Sequence, residues 1–231
     1  MKPQLEKLTN QLYNTFSKYS IKGDLRDRSC DCCVTDEEIR VLLSKPLKDL
    51  NDDDIGHFSR SAISTFGHVE DFKHFLPRIL ELMQDPNSDT LDDFTTFEKL
   101  NYSEWETWDR NEIITIDNYL LKLWEDVITN ENATFHQIGC VLNIVSKYTG
   151  LNKALSIWKN KESSNSTLFI AESIVNGLQY YISKEIISDL TYWFYKDIIL
   201  FRIEKEFFNT KDEDLASTLS IAHSIIENKY I

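Results

Sequence analysis

Proline is confined to one end of this chain. Pro3, Pro46, Pro77 and Pro86 all precede residue 87, so the 145 residues from 87 to 231 contain none, and the whole 231-residue sequence carries only 6 glycines. A sandwich, barrel or doubly wound sheet needs a glycine or proline turn roughly every dozen residues. This chain cannot supply them. Disorder is excluded as well, because 13 Phe, 10 Tyr and 5 Trp offer far more apolar surface for burial than a disordered chain possesses. The class expected is all-α, an irregular antiparallel helix array of the HEAT-like or α-α layered kind. Composition divides it into an irregular N-terminal helical part, 1–86, and a proline-free helical part, 87–231, read together as one continuous structural unit.

Local patterns support the class. Leu5, Leu8, Leu12, Phe16 and Tyr19 recur at three- and four-residue spacing, which places them on one helical face. A polar, cysteine-bearing loop, 21–34, follows. Thr35 with Glu38 has the spacing of a capping box and opens a helix that Pro46 stops. Asn51-Asp52-Asp53-Asp54 starts another, its acids matched to the positive helix N-terminus. The helical period of Val69, Phe72, Phe75, Leu76, Ile79 and Leu80 continues through Pro77, which should kink the helix or begin a second. Later helices are expected at about 134–148, 151–160, 166–181, 183–208 and 212–229. Short connections make neighbours antiparallel.

The formal net charge is -13 and the sequence pI about 4.8. Phosphate backbones and anionic bilayers repel such a chain, so neither nucleic acid nor membrane is the expected partner; a basic protein is. The N-terminal sequence lacks a signal-peptide pattern and no window is apolar enough to span a bilayer, which points to the cytoplasm.

Three groupings of side chains are candidates for chemistry or binding. Cys30 and Cys33 have the C-x-x-C spacing that lets two thiolates meet one tetrahedral ion, with Cys32 or an imidazole such as His74 or His68 to complete a zinc site. The bland alternative is a knot of reduced thiols. Asp71, His74 and Glu81 share a helical stretch but read more simply as the polar edge of a core helix. The stretch 85–112 holds nine acids against Lys99 and Arg110, interleaved with rings. Asp92, Asp93, Phe97, Glu104, Trp105, Glu106, Trp108 and Asp109 are therefore the expected surface for a basic partner, rings anchoring and carboxylates steering. The opposing possibility is that the rings face the core. A final run, Tyr180, Tyr181, Tyr192 to Tyr195, Phe201, Phe207 and Phe208, reads as core or a helix-helix dimer seam. Nucleophile-elbow, metalloprotease, phosphate-loop and dinucleotide signatures are missing, so hydrolase, kinase and dehydrogenase readings lack support.

The run from Cys30 through Leu82 resembles a group of bacterial proteins with no assigned function. The similarity lies in the cysteine-bearing loop, the turn Pro46-Leu47-Lys48-Asp49-Leu50, and the block Asp71-Phe72-Lys73-His74-Phe75-Leu76-Pro77-Arg78-Ile79-Leu80-Glu81-Leu82, with Trp105, Glu112 and Trp124 as later members. The resemblance implies a helical fold and no activity.

The function expected on these grounds is a non-catalytic protein-binding module: an acidic immunity- or antitoxin-type inhibitor of a basic protein toxin, needing no cofactor. The alternatives are a zinc-containing helical enzyme or regulator with Cys30, Cys33 and His74 at the metal, and a homodimeric scaffold built on the aromatics of 180–208.

Overall fold

The computed structural model describes residues 3–84, 94–161, 163–177 and 182–229. The fold is all-α. Its helices are α1 (Pro3–Phe16), α2 (Asp36–Leu43), α3 (Asp52–Ser61), α4 (Val69–Leu82), α5 (Phe94–Tyr102), α6 (Arg110–Ile128), α7 (Phe135–Val145), α8 (Leu151–Asn160), α9 (Ser164–Asn176), α10 (Lys184–Phe194), α11 (Asp197–Asn209) and α12 (Glu213–Lys229). Among the described residues no helix is long and apolar enough to cross a membrane.

The chain forms two compact units, Met1–Leu123 and Trp124–Ile231, divided within α6. The compositional boundary at 86 is therefore not where packing divides. The reason lies in α5 and the turn after it, whose Phe97, Leu100, Trp105 and Trp108 are buried. α5 packs against α3, so these rings complete the first unit's core rather than open a second one.

In the first unit α1 lies on α4, and α3 contacts α2, α4 and α5. Phe58 meets Phe75 at 4.6 Å and Phe66 at 5.1 Å between ring centroids. α2 starts at the capping box read from the sequence, Thr35 with Glu38, and α3 starts at the expected Asn51, which forms a second capping box with Asp54. α4 runs unbroken through Pro77, which removes one backbone hydrogen bond at a cost of about 3 kcal/mol. Phe72, Phe75, Leu76, Ile79 and Leu80 are all buried around it, and at about 1.5–3 kcal/mol per large apolar side chain that burial outweighs the loss.

The second unit is centred on Trp158. Its ring meets Trp124 edge-on at 5.2 Å, stacks on Trp193 at 5.2 Å, and touches Phe169 and Phe194. Arg202 is buried beside it and donates to Thr167 Oγ1 at 2.8 Å, to the Trp158 carbonyl at 3.1 Å and to Ser166 Oγ. The single helix expected over 183–208 is two, separated at Tyr195 and Lys196, where Lys196 is extended. Neither glycine nor proline marks the break. Continuing the buried face of Leu190, Trp193 and Phe194 would turn 197 and 201 inward, whereas Ile199, Arg202 and Ile203 are buried. The interruption shifts the phase so that a second set of apolar residues reaches the core.

Candidate metal centre

The cysteine turn is built on a short length of paired backbone. The 3-10 turn Arg26–Arg28 leads into Ser29, which bridges to Phe66. Cys30 N donates to the Thr65 carbonyl at 2.8 Å, and Gly67 N donates to the Arg28 carbonyl at 3.0 Å. Arg28 fixes this pairing from the side: its Nε and Nη2 each lie 2.9 Å from an oxygen of Asp71. Asp71 in turn accepts from His68 N at the start of α4. Gly67 sits at φ +71 against Asp71, where an added Cβ would lie 3.0 Å from Oδ2. After Cys30 the chain turns sharply, the Cys30 carbonyl accepting from Cys33 N at 3.3 Å and from Val34 N at 3.1 Å. Val34 is buried, Arg26 Nη2 donates to its carbonyl at 2.7 Å, and Thr35 begins α2.

This turn brings three thiols together. Cys30 Sγ lies 3.1 Å from Cys33 Sγ and 3.3 Å from Cys32 Sγ, and Cys32 Sγ lies 3.7 Å from Cys33 Sγ. Cys32 and Cys33 are exposed and Cys30 partly so. Hydrogen bonding with the Cys33 side chain first, then with the side chain and backbone of Cys32, holds the Cys30 thiol at about 7 against an ordinary 9.0. Cys33 is pushed up to about 12, first by its hydrogen bond with Cys30 and then by Cys32. Cys30 thus gives up its proton far more readily than Cys33.

These donors fit a soft cation. Zinc–thiolate bonds of about 2.3 Å in a tetrahedral array set sulfurs about 3.8 Å apart. The Cys32–Cys33 separation is already there, and Cys30 needs to move outward by roughly half an ångström. Among the described residues, the metal-ligating atoms that converge here are these three sulfurs.

His74, expected beside Cys30 and Cys33, is elsewhere. Its Nδ1 is 3.0 Å from the Tyr19 carbonyl, and its ring rests edge-on against Phe75. On α4 it sits against the backbone of Tyr19, just beyond the end of α1. Cys32 takes the place given to the imidazole; its adjacency to Cys33 was visible in sequence, but the sharp turn that brings both within reach of Cys30 was not.

The acid-aromatic surface is also corrected. Phe97, Trp105 and Trp108 are buried at 2%, 6% and 8% exposure, so they cannot anchor a partner. Trp108 donates to the Ser103 carbonyl at 3.0 Å and meets Phe16 and Phe72 edge-on. Glu104, Glu106 and Asp109 are exposed, and Asp109 pairs with Lys18. Asp92 and Asp93 lie outside the described residues. Among the described residues of this stretch Tyr102 is the exposed ring, at 63%, so a basic protein would meet mainly carboxylates, which steer encounter more than they hold. In the last aromatic run Trp193 and Phe194 are core, while Tyr192, Phe201 and Phe208 are exposed; Tyr180 and Tyr181 lie outside the described residues.

A second polar constellation went unrecognised in sequence. Glu112 is fully buried, accepts from Tyr19 Oη at 2.6 Å and Lys73 Nζ at 2.8 Å, and pairs with Lys18 Nζ at 2.8 Å. Lys73 Nζ also sits 4.0 Å over the Trp108 ring. Burial raises the Glu112 carboxyl, but its bonds to Lys18, Lys73 and Tyr19 outweigh that and hold it below the usual carboxylate range. With every charge paired, this cluster clamps the end of α1 to α4 and α6 and offers no free group for chemistry. Its only sequence sign is a lysine among the apolar residues of α4.

No protein-family model, curated protein or solved structure matches the chain, so the functional reading rests on the geometry of the cysteine turn.

Proposed function

We propose that this protein binds a soft d10 cation, zinc in the first instance, on the thiolates of Cys30, Cys32 and Cys33. The observation that carries this reading is the convergence of three sulfurs within 3.7 Å of one another on one tight turn. Three protein thiolates leave one tetrahedral position for water or for a donor from a bound molecule, unlike a closed structural site. Bound there, the metal supplies a Lewis-acidic centre and a ligand-exchange position. The chain's own contribution is to hold the sulfurs. The pairing of Cys30 with Thr65 and of Arg28 with Asp71 fixes the turn against α4, so that side-chain rotation rather than refolding opens the trio to metal-binding distances. Each thiol that still carries a proton must release it, making affinity rise with pH.

The test is metal analysis of full-length protein purified without chelator, followed by zinc titration against a chromogenic chelator. One equivalent of zinc per chain is expected, lost on Cys30→Ser and Cys33→Ser. Retention at full strength in Cys32→Ser would reduce the site to two thiolates. Cobalt substitution giving no tetrahedral thiolate spectrum, together with zinc binding no tighter than that of a free thiol, would sink the reading.

A further inference from the structure

We infer that the metal-free cysteine turn is also a thiol–disulfide exchange site, in which Cys30 reacts with a small-molecule disulfide and Cys33 resolves the product. The metal reading uses the same three sulfurs, but this activity does not require it.

The geometry singles out Cys30. It belongs to both short contacts, 3.1 Å to Cys33 and 3.3 Å to Cys32, whereas Cys32 and Cys33 stand 3.7 Å apart and are adjacent in sequence, where a disulfide is strained. A disulfide bond is about 2.05 Å long, so Cys30 and Cys33 need to approach by only about 1 Å. Cys30 N is fixed to Thr65 and its carbonyl already accepts from Cys33 N and Val34 N, so the turn is closed before any bond forms. Access is open too: Cys33 and Cys32 are exposed and Cys30 partly exposed. Disulfides that are exposed and closed over a short loop belong to the labile kind that exchanges rather than the structural kind.

The chemistry balances with a disulfide, RSSR, as oxidant. The Cys30 thiolate attacks one sulfur of RSSR; the Cys30–SR bond forms, the S–S bond of the oxidant breaks, and one RS⁻ leaves and takes up the proton Cys30 gave to solvent. The Cys33 thiol loses its proton and attacks Cys30 Sγ; the Cys30–Cys33 bond forms, the Cys30–SR bond breaks, and the second RS⁻ leaves as RSH. Two protein thiols are oxidised and one RSSR is reduced to two RSH. Cys32, within 3.3 Å of Cys30, can exchange into the bond. A dithiol reductant runs the sequence backward.

The experiment uses full-length, reduced, metal-free protein and oxidised glutathione, with alkylation of remaining thiols and tryptic mass spectrometry. Cleavage after Arg28 and Arg40 leaves all three cysteines on one peptide, 29–40. Wild type and Cys32→Ser are expected to give that peptide two hydrogens lighter. Cys30→Ser should lose the product. In Cys32→Ser/Cys33→Ser the glutathione adduct on Cys30 should outlive the wild-type adduct by more than about tenfold, because the neighbouring thiol acts at an effective concentration on the order of millimolar or above. Accumulation of glutathione adducts in wild type without the lighter peptide, or an undiminished lighter peptide in Cys30→Ser, overturns the inference. Zinc titration of the same reduced sample decides the metal reading separately: disulfide formation without zinc binding leaves this inference standing, and zinc binding without disulfide formation removes it.

Discussion

Replacing Glu112 by Gln tests whether the buried polar clamp of the first unit stabilises it. The substitution keeps volume and one acceptor oxygen while removing the charge that faces Lys73, which is itself 8% exposed. Removing one partner of a buried ion pair costs about 3–5 kcal/mol, since the survivor stays desolvated without compensation. The new amide N–H₂ points donors at a site already filled by donors from Tyr19, Lys18 and Lys73, which adds to the loss. Lys73 retains the Tyr19 hydroxyl at 3.2 Å and the Trp108 ring at 4.0 Å, and a desolvated cation–π contact returns about 1–2 kcal/mol. The expected net loss is about 3 kcal/mol. Hydrogen exchange of α4 and α6 amides along a urea series measures it in this unit. The double variant Glu112→Leu/Lys73→Met removes both charges, and apolar replacement of a whole buried pair is close to neutral. It should therefore lose at least about 2 kcal/mol less than the sum of Glu112→Leu and Lys73→Met. Additive losses, or a Glu112→Gln cost below about 1 kcal/mol, would refute the claim that Lys73 and Glu112 depend on each other.

Acid should weaken the same unit. The Glu112, Glu38 and Asp54 carboxyls are all held below their ordinary values, so their contribution is complete above the unfolded-state range near 4 and is lost as pH falls through the lower folded values. Urea midpoints between pH 7 and 3 should fall, and more shallowly in Glu112→Gln; an unchanged acid slope there would contradict the assignment. Gly67→Ala forces a side chain into the left-handed region and toward Asp71 Oδ2, for an expected loss of about 1–3 kcal/mol in urea denaturation; a neutral outcome would show that the Asp71–Arg28 pair yields freely. Thr35→Ala removes the cap of α2, which stands beside the cysteine turn, and should cost about 1 kcal/mol while leaving the stoichiometry of zinc binding unchanged in the titration. Phe201→Ser and Phe208→Ser alter rings that are 64% and 82% exposed, so the unfolding free energy from urea denaturation should change by less than about 0.5 kcal/mol. A larger loss would reveal that these rings are covered in solution.

Much of the first unit was legible in the sequence because the relevant physics is local. Thr35 with Glu38, and Asn51 with Asp54, satisfy helix N–H groups within four residues of themselves, so no distant contact is needed to place them. The cysteine site was half legible for the same reason. C-x-x-C spacing confines Cys30 and Cys33 to one turn whatever surrounds it, but the third donor depended on how that turn is held against Thr65. His74 stood at a plausible distance along the chain and faces Tyr19 instead.

What the sequence determined by itself was class, charge and helix starts: scarce breakers, apolar residues at helical spacing and caps leave an acidic all-α chain little choice. Tertiary structure alone decided which way the rings face and where long helices break. Phe97, Trp105 and Trp108 have one amphipathic pattern whether they meet core or partner, and only the presence of Phe16 and Phe72 beside Trp108 makes them core. The interruption at Tyr195 and Lys196 carries no glycine or proline signal; it allows Trp193 and Phe194, which meet Trp158, and Ile199 beyond the break all to be buried. Burial is a property of the surroundings and not of the residue, so a single sequence records the periodicity of a face without recording what covers it.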